Sequence, residues 1–199
     1  MNASALSEEN RRKLLEVAAE EILEKGFQAT SISDILTKTG LSKGALYHHF
    51  SSKLTLGYAV LEEVYLPDYI NQWELALSTP DPISSISELL RTEIEEISDE
   101  SIRLGCPLNN LAQEMSPIDE GFRQRISRAI NRWRSDLQAA LARGQKAGHV
   151  DPAIDTFQVA TFVVASIEGS IGLAKNGQDR ALFEACLEGV ISYLEGLRA

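Results

Sequence analysis

The sequence predicts an all-α protein, with a three-helix helix-turn-helix head at the N-terminus and a larger helical body. Apolar residues recur at the spacing of a helix rather than alternating as they would along a strand. In the first segment, apolar residues at this spacing form one stripe along a single helix face. Only six of the 199 residues are proline. The stripe consists of Leu14, Leu15, Ala18, Ala19, Ile22 and Leu23.

The first part of the chain contains start and stop signals for four helices. Glycines follow the first two apolar segments, and serines or threonines precede the later ones. We expect a helix over about 7–25, a second between Thr30-Ser31 and Thr39-Gly40, a third from Ser42 to about His49, and a fourth that opens at Phe50–Lys53 and continues through Val64 into the body.

From about Pro67 onward, Pro, Gly and Ser separate further apolar segments. New helices are expected after Asp81-Pro82, after Gly105-Cys106-Pro107 and after Ser116-Pro117, followed by two more over about 153–175 and 179–198. The predicted domains are residues 1–54, the helix-turn-helix head, and residues 55–199, a helical ligand-binding and dimerisation body.

The segment Thr39–Phe50 has the layout of a helix-turn-helix whose second helix enters the major groove of DNA. A helix ends at glycine, a serine caps the next helix, and its first turns contain a lysine, two small residues, a tyrosine and two histidines. Serine and exposed backbone N–H groups can bind phosphate, while lysine, tyrosine and histidine can reach phosphates or base edges. The expected DNA-binding residues are Thr30, Ser31, Ser42, Lys43, Gly44, Ala45, Tyr47, His48, His49 and Lys53.

The net charge of −10 does not contradict DNA binding, because it is unevenly distributed. Residues 1–57 contain seven Lys/Arg and seven Asp/Glu, so the whole negative excess lies in the rest of the chain. An acidic body disfavours non-specific attachment to DNA in wrong orientations.

The first 60 or so residues resemble the DNA-binding part of the TetR family of transcriptional regulators. The resemblance rests on Gly26-Phe27, Thr30-Ser31, Ile35, Gly40–Gly44, Leu46–Phe50 and Lys53, and a segment found in one branch of these regulators resembles Gly105–Glu114. The family implies a homodimer on a palindromic operator in double-stranded DNA, usually a repressor that a small molecule releases.

The last two predicted helices, about 153–175 and 179–198, are apolar on more than one face, so we expect them to form the homodimer interface. A fully internal core helix is the alternative. The effector is unknown. Apolar and polar residues of the body that could line its site are Tyr65, Tyr69, Trp73, Leu108, Asn109, Glu114, Trp133 and Phe162.

Two other classes of function compete with a DNA-binding regulator. No nucleophile elbow, metal motif or phosphate-binding glycine loop indicates an enzyme, and adjacent histidines on a helix point about 100° apart, which is unsuitable for zinc. We therefore expect no catalytic residue, no metal and no cofactor. A helical dimeric adaptor, or a redox-sensing regulator using Cys106 at a helix start, remains the alternative.

Two distant cysteines, no export signal and no apolar run long enough to span a membrane suggest a cytoplasmic protein without membrane partners.

Overall fold

The computed structural model describes residues 3–199, apart from the side chains of Ala3, Asp68 and Tyr69. Helices make up 81% of the chain, which confirms the all-α prediction. In the described residues the helices are α1 (Ala3–Lys25), α2 (Ile32–Thr39), α3 (Lys43–His49), α4 (Lys53–Val60), a π-helical turn (Leu61–Tyr65), α5 (Leu66–Ser78), α6 (Pro82–Glu96), α7 (Asp99–Leu104), α8 (Pro107–Met115), α9 (Glu120–Ala147), α10 (Thr156–Gly177) and α11 (Arg180–Glu195).

Helix α1 begins earlier than predicted but ends where predicted. The expected start was near Ser7, yet the chain is already helical from Ala3, because Ala-Ser-Ala-Leu contains no residue that stops a helix. At the other end Gly26 adopts a φ of 86°, and its N–H donates to the carbonyl of Ile22 over 2.9 Å. The left-handed conformation that ends this helix is one that glycine adopts without strain.

The turn between α2 and α3 follows the predicted capping pattern. Ser31 and Asp34 form a capping box at the start of α2, and Gly40 ends that helix in the left-handed region with a φ of 68°. The hydroxyl of Ser42 then accepts a hydrogen bond from the N–H of Ala45 over 3.1 Å. Both serines thus satisfy N–H groups that a helix start leaves without partners.

The fourth helix, predicted to continue through Val64, runs from α4 through a π-helical turn directly into α5, which contains Pro67. Proline has no N–H to donate, and its ring would clash with the carbonyl four residues earlier in an α-helix. Pro67 therefore lies in the first turn of α5, directly after the wider π-helical turn, where the helix accommodates it.

One compact unit comprises Met1–Asp68 together with Pro107–Ser127. Its buried core includes side chains of α1, of α3 and α4, and of α8 and the start of α9. They include Leu14, Ala18, Leu46, Phe50, Leu56, Leu61, Leu108, Leu111 and Phe122. The predicted boundary after residue 54 stays a prediction, and Pro107–Ser127, expected in the body, packs with the N-terminal helices.

The second unit comprises Tyr69–Cys106 and Arg128–Ala199. Helix α11 packs against both α6 and α10. The core that they share includes Ile83, Ile86, Leu137, Leu141, Val163, Leu187 and Leu194. Helix α10 is long and apolar enough to cross a membrane by length and composition alone, but core helices of water-soluble proteins also meet that criterion.

Two helical glycines in the first unit should respond oppositely to alanine. A Cβ atom on Gly57 would lie 2.4 Å from the ring of Phe27 and 2.9 Å from the ring of Phe122, whereas one on Gly44 would meet no atom closer than 3.8 Å. We expect Gly57→Ala to lower the free energy of unfolding by about 1–3 kcal/mol through overpacking. Gly44→Ala should leave it unchanged or raise it by up to about 1 kcal/mol. Urea unfolding followed by circular dichroism measures both, and equal destabilisation would contradict this packing.

Candidate nucleic-acid interface

Helix α3 is oriented by two buried side chains. Leu46 is 0% exposed and Phe50, at its C-terminal end, is 3% exposed, so both point inward. Ser42, Lys43, Gly44, Tyr47 and His48 are exposed. The helix therefore buries one narrow apolar edge and presents its remaining surface to solvent.

The exposed surface of α3 combines a cation with an aromatic ring. Lys43 and Tyr47 are four residues apart, and the Lys43 ammonium lies 5.8 Å from the centre of the Tyr47 ring. Tyr47 is 43% exposed. Lysine can bind a phosphate or the acceptor edge of guanine, and a tyrosine hydroxyl can donate to a phosphate.

The two histidines pack against each other, with ring centres 5.0 Å apart in an edge-to-face arrangement. Partial burial lowers the pKa of His49, and the neighbouring charges of His48 and Arg11 lower it further. A neutral imidazole still has one N–H donor and one acceptor nitrogen. At neutral pH, His49 therefore offers hydrogen bonds rather than positive charge.

Two of the predicted DNA-binding residues are engaged elsewhere. Thr30 is 1% exposed, and its hydroxyl donates to the carbonyl of Gly26 over 2.8 Å. The Lys53 ammonium donates to the carbonyl of Gln28 over 3.0 Å and lies 4.6 Å from the centre of the Phe27 ring. Burial lowers the pKa of Lys53. In this structure both side chains stabilise the turn after α1, and their contact with DNA stays a prediction.

Two carboxylates in the same unit have contacts that the sequence did not predict, although Glu114 was expected to line the effector site. Glu21 is completely buried in α1 and contacts the ammonium groups of Lys25 and Lys38. Glu114 of α8 accepts hydrogen bonds from the backbone N–H groups of Phe27 and Gln28, each over 2.8 Å. Glu21 could have been noticed because it follows Ala18 by three residues in the apolar stripe and precedes Lys25 by four. No local pattern marks Glu114.

The predicted effector-site residues do not form one cluster within either unit. Tyr65, Leu108, Asn109 and Glu114 belong to the first unit, whereas Trp73, Trp133 and Phe162 belong to the second. The side chain of Tyr69 lies outside the described part of the chain.

Several of these predicted effector-site residues already have contacts within the fold. The Tyr65 hydroxyl donates to the carbonyl of Ala19 over 2.6 Å, and burial raises its pKa. Trp73 and Trp133 pack in the core of the second unit with ring centres 4.9 Å apart. Tyr65 and Glu114 therefore have structural partners, and the effector site stays a prediction.

Helices α10 and α11 expose apolar side chains on their outer surface. Phe162 is 49% exposed and packs edge-to-face on Tyr193, with ring centres 4.7 Å apart. Leu173 is also exposed, and a Cβ atom on either Gly169 or Gly172 would meet no neighbour within 4 Å. This surface, which we call the α10–α11 face, is apolar and open to close approach by another helix.

Two family models cover most of the chain. Residues 14–59 match "Bacterial regulatory proteins, tetR family", and residues 82–190 match "Tetracyclin repressor-like, C-terminal domain". The chain belongs to the TetR family of transcriptional regulators. The family assignment confirms the resemblance inferred from the N-terminal residues and makes the chain a helix-turn-helix DNA-binding regulator.

Relatives and solved structures agree with this assignment along the whole chain. The transcriptional repressor DhaR of Mycobacterium sp. (strain GP1) is 28% identical over 163 residues, which are 81% of this chain and 80% of DhaR. The regulator AcuR of Cereibacter sphaeroides is 26% identical over 166 residues, 82% of this chain and 75% of AcuR. A TetR regulator from Chloroflexus aurantiacus has a TM-score of 0.84 at 25% identity, covering 98% of both chains. The family consists of transcriptional regulators, which are generally not enzymes.

Proposed function

We propose that this TetR-family chain is a repressor that binds a palindromic operator as a homodimer and is released by a small-molecule effector. The observation that supports DNA reading most directly is the orientation of α3. Leu46 and Phe50 are buried, so Lys43, Tyr47 and His48 point outward together. Members of the family bind DNA operators and act as dimers with small-molecule effectors.

Each of the following residues of α2 and α3 has a proposed task. Lys43 and Tyr47 contact phosphates or base edges, and His48 and His49 donate hydrogen bonds. Gly44 and Ala45 keep the helix narrow, so that its backbone approaches the groove closely. Ser31 and Ser42 stand at the starts of α2 and α3, where backbone N–H groups attract phosphate.

Substitutions on α3 test this assignment. We expect Lys43→Ala and Tyr47→Ala to remain folded dimers and to lose operator affinity, by about 1–3 kcal/mol for each lost base contact. Lys146→Ala removes the same charge from an exposed position in the second unit and should bind like the parent protein. Fluorescence anisotropy with operator DNA selected from genomic fragments measures all three. Parent-like binding by both α3 variants would contradict the assignment, and failure to select any DNA would instead favour the adaptor alternative.

The α10–α11 face is the proposed homodimer interface. Exposed apolar residues on it are Phe162, Leu173, Leu182 and Tyr193, and the glycines beside them leave room for a partner helix. Because a helix-turn-helix dimer binds two half-sites, dimerisation also sets the spacing of the two copies of α3.

A charged double substitution tests this interface. Phe162→Glu/Leu173→Glu should convert the dimer into a monomer of 21.9 kDa and abolish operator binding, because two carboxylates would be buried without partners. Leu75→Glu is the control, since Leu75 is 78% exposed and belongs to α5 rather than to α10 or α11. Sedimentation equilibrium measures the mass. A dimeric double variant, or an equally monomeric Leu75→Glu, would refute the proposed interface.

The proposed switch acts through the segment from Phe50 to about Tyr65, which contains α4 and the π-helical turn. An effector that binds the non-DNA-binding state more tightly shifts the population away from the operator-bound state. The effector site is expected in the helical body, and the protein is expected to act in the cytoplasm, where its DNA is.

A redox-sensing regulator using Cys106 is the second candidate. The Cys106 thiol is half-buried and donates to a carboxylate oxygen of Glu168 over 3.7 Å, just before the start of α8. Oxidation of the thiol would disrupt this hydrogen bond to Glu168. Operator release by peroxide in the parent, but not in Cys106→Ser, would support this candidate, and equal release in both would exclude Cys106 as the sensor.

A further inference from the structure

The buried carboxylate of Glu21 holds two lysines that belong to different helices. Its side chain is 0% exposed, and it contacts Lys25 of α1 over 2.7 Å and Lys38 of α2. Hydrogen bonds from Lys25 and Lys38 lower the pKa of Glu21, and the same hydrogen bonds raise the pKa of both lysines. All three groups are therefore charged at neutral pH.

An apolar side chain would be the simpler choice at this position. Glu21 is next to buried Ile22 and one turn from buried Ala18, and a buried ion pair is often no more stable than well-packed apolar residues. The two lysines, in contrast, remain about half-exposed, with 43% and 48% of their side-chain surfaces accessible. What Glu21 changes most is therefore the charge that these lysines present to the surroundings.

The arrangement leaves little free positive charge beside the DNA-reading helix. Thr30–Gly57 contains three lysines. Lys38 is bound by Glu21, Lys53 is folded onto the carbonyl of Gln28, and Lys43 is exposed on α3.

We propose that Glu21 is a specificity-determining residue, an internal counter-ion that withholds Lys25 and Lys38 from the DNA backbone. The proposal rests on the proposed DNA-binding function of the head. Sequence-independent affinity for DNA comes almost entirely from cations that neutralise phosphates. On non-operator DNA the head can adjust its position to bring released lysines to phosphates, whereas on the operator the contacts of α3 fix its register. Glu21 thus keeps the regulator from being retained by the large excess of other sequences.

The test is the salt dependence of binding to a duplex that lacks the operator. Glu21→Gln keeps the shape of the side chain and removes its charge. For each additional phosphate that a released lysine neutralises, the log–log salt slope should steepen by about 0.9, so the loss of affinity between 50 and 200 mM salt should grow about 3.5-fold. Glu21→Leu, which suits a buried position, should show the same change and keeps the test valid if the glutamine variant does not fold.

Two controls separate charge release from a general structural effect. Glu20→Gln removes one negative charge from an exposed position on the same helix, and its slope should match that of the parent. Glu21→Gln/Lys25→Gln/Lys38→Gln removes the released lysines and should return the slope to the parent value. An unchanged slope and non-operator affinity in both Glu21 variants, measured with a parent protein that binds its operator, would overturn the proposal. A parent protein that binds no operator would instead overturn the proposed function.

Discussion

The burial of Leu46 and Phe50 is the constraint on which the reading surface depends. Helix α3 has seven residues, too few to be stable alone, so its orientation is set by what it packs against. It packs on α1, and the guanidinium of Arg11 lies 5.2 Å from the centre of the Phe50 ring. With these two side chains inward and Ser42 capping the first turn, the direction of Lys43 and Tyr47 follows from helix geometry.

Several charged side chains of the first unit form ion pairs with one another. Glu21 binds Lys25 and Lys38, and Arg11 forms a bidentate ion pair with Glu63, with both distances 2.7 Å. The acidic excess of the protein lies beyond residue 57. Under the proposed function, these ion pairs make binding depend less on general attraction to phosphate and more on the contacts proposed for α3.

Local sequence was sufficient to predict the first four helices, the cap at Ser42 and the helix end at Gly40, because these depend on residues a few positions apart. It left the cap of α2 open between Thr30 and Ser31, and it did not predict α7. The family followed from the same segment. The hydrogen bonds of Thr30, Lys53 and Glu114 could not be predicted in this way. Glu114 caps N–H groups 86 and 87 residues earlier, and Lys53 donates to a carbonyl 25 residues away. The π-helical turn that precedes Pro67 was not predicted from the sequence.

The central claim is that two copies of α3 face the same side of a dimer at the spacing of one DNA turn. Nitroxide labels at Ser51→Cys, with Cys106 and Cys186 replaced by serine, place one label at an exposed residue directly after each α3. Pulsed electron–electron double resonance on the operator complex should give a distance between the two labels near 34–36 Å, approximately one helical turn of DNA. A distance far outside that range, or no dipolar coupling between labels, would contradict the account.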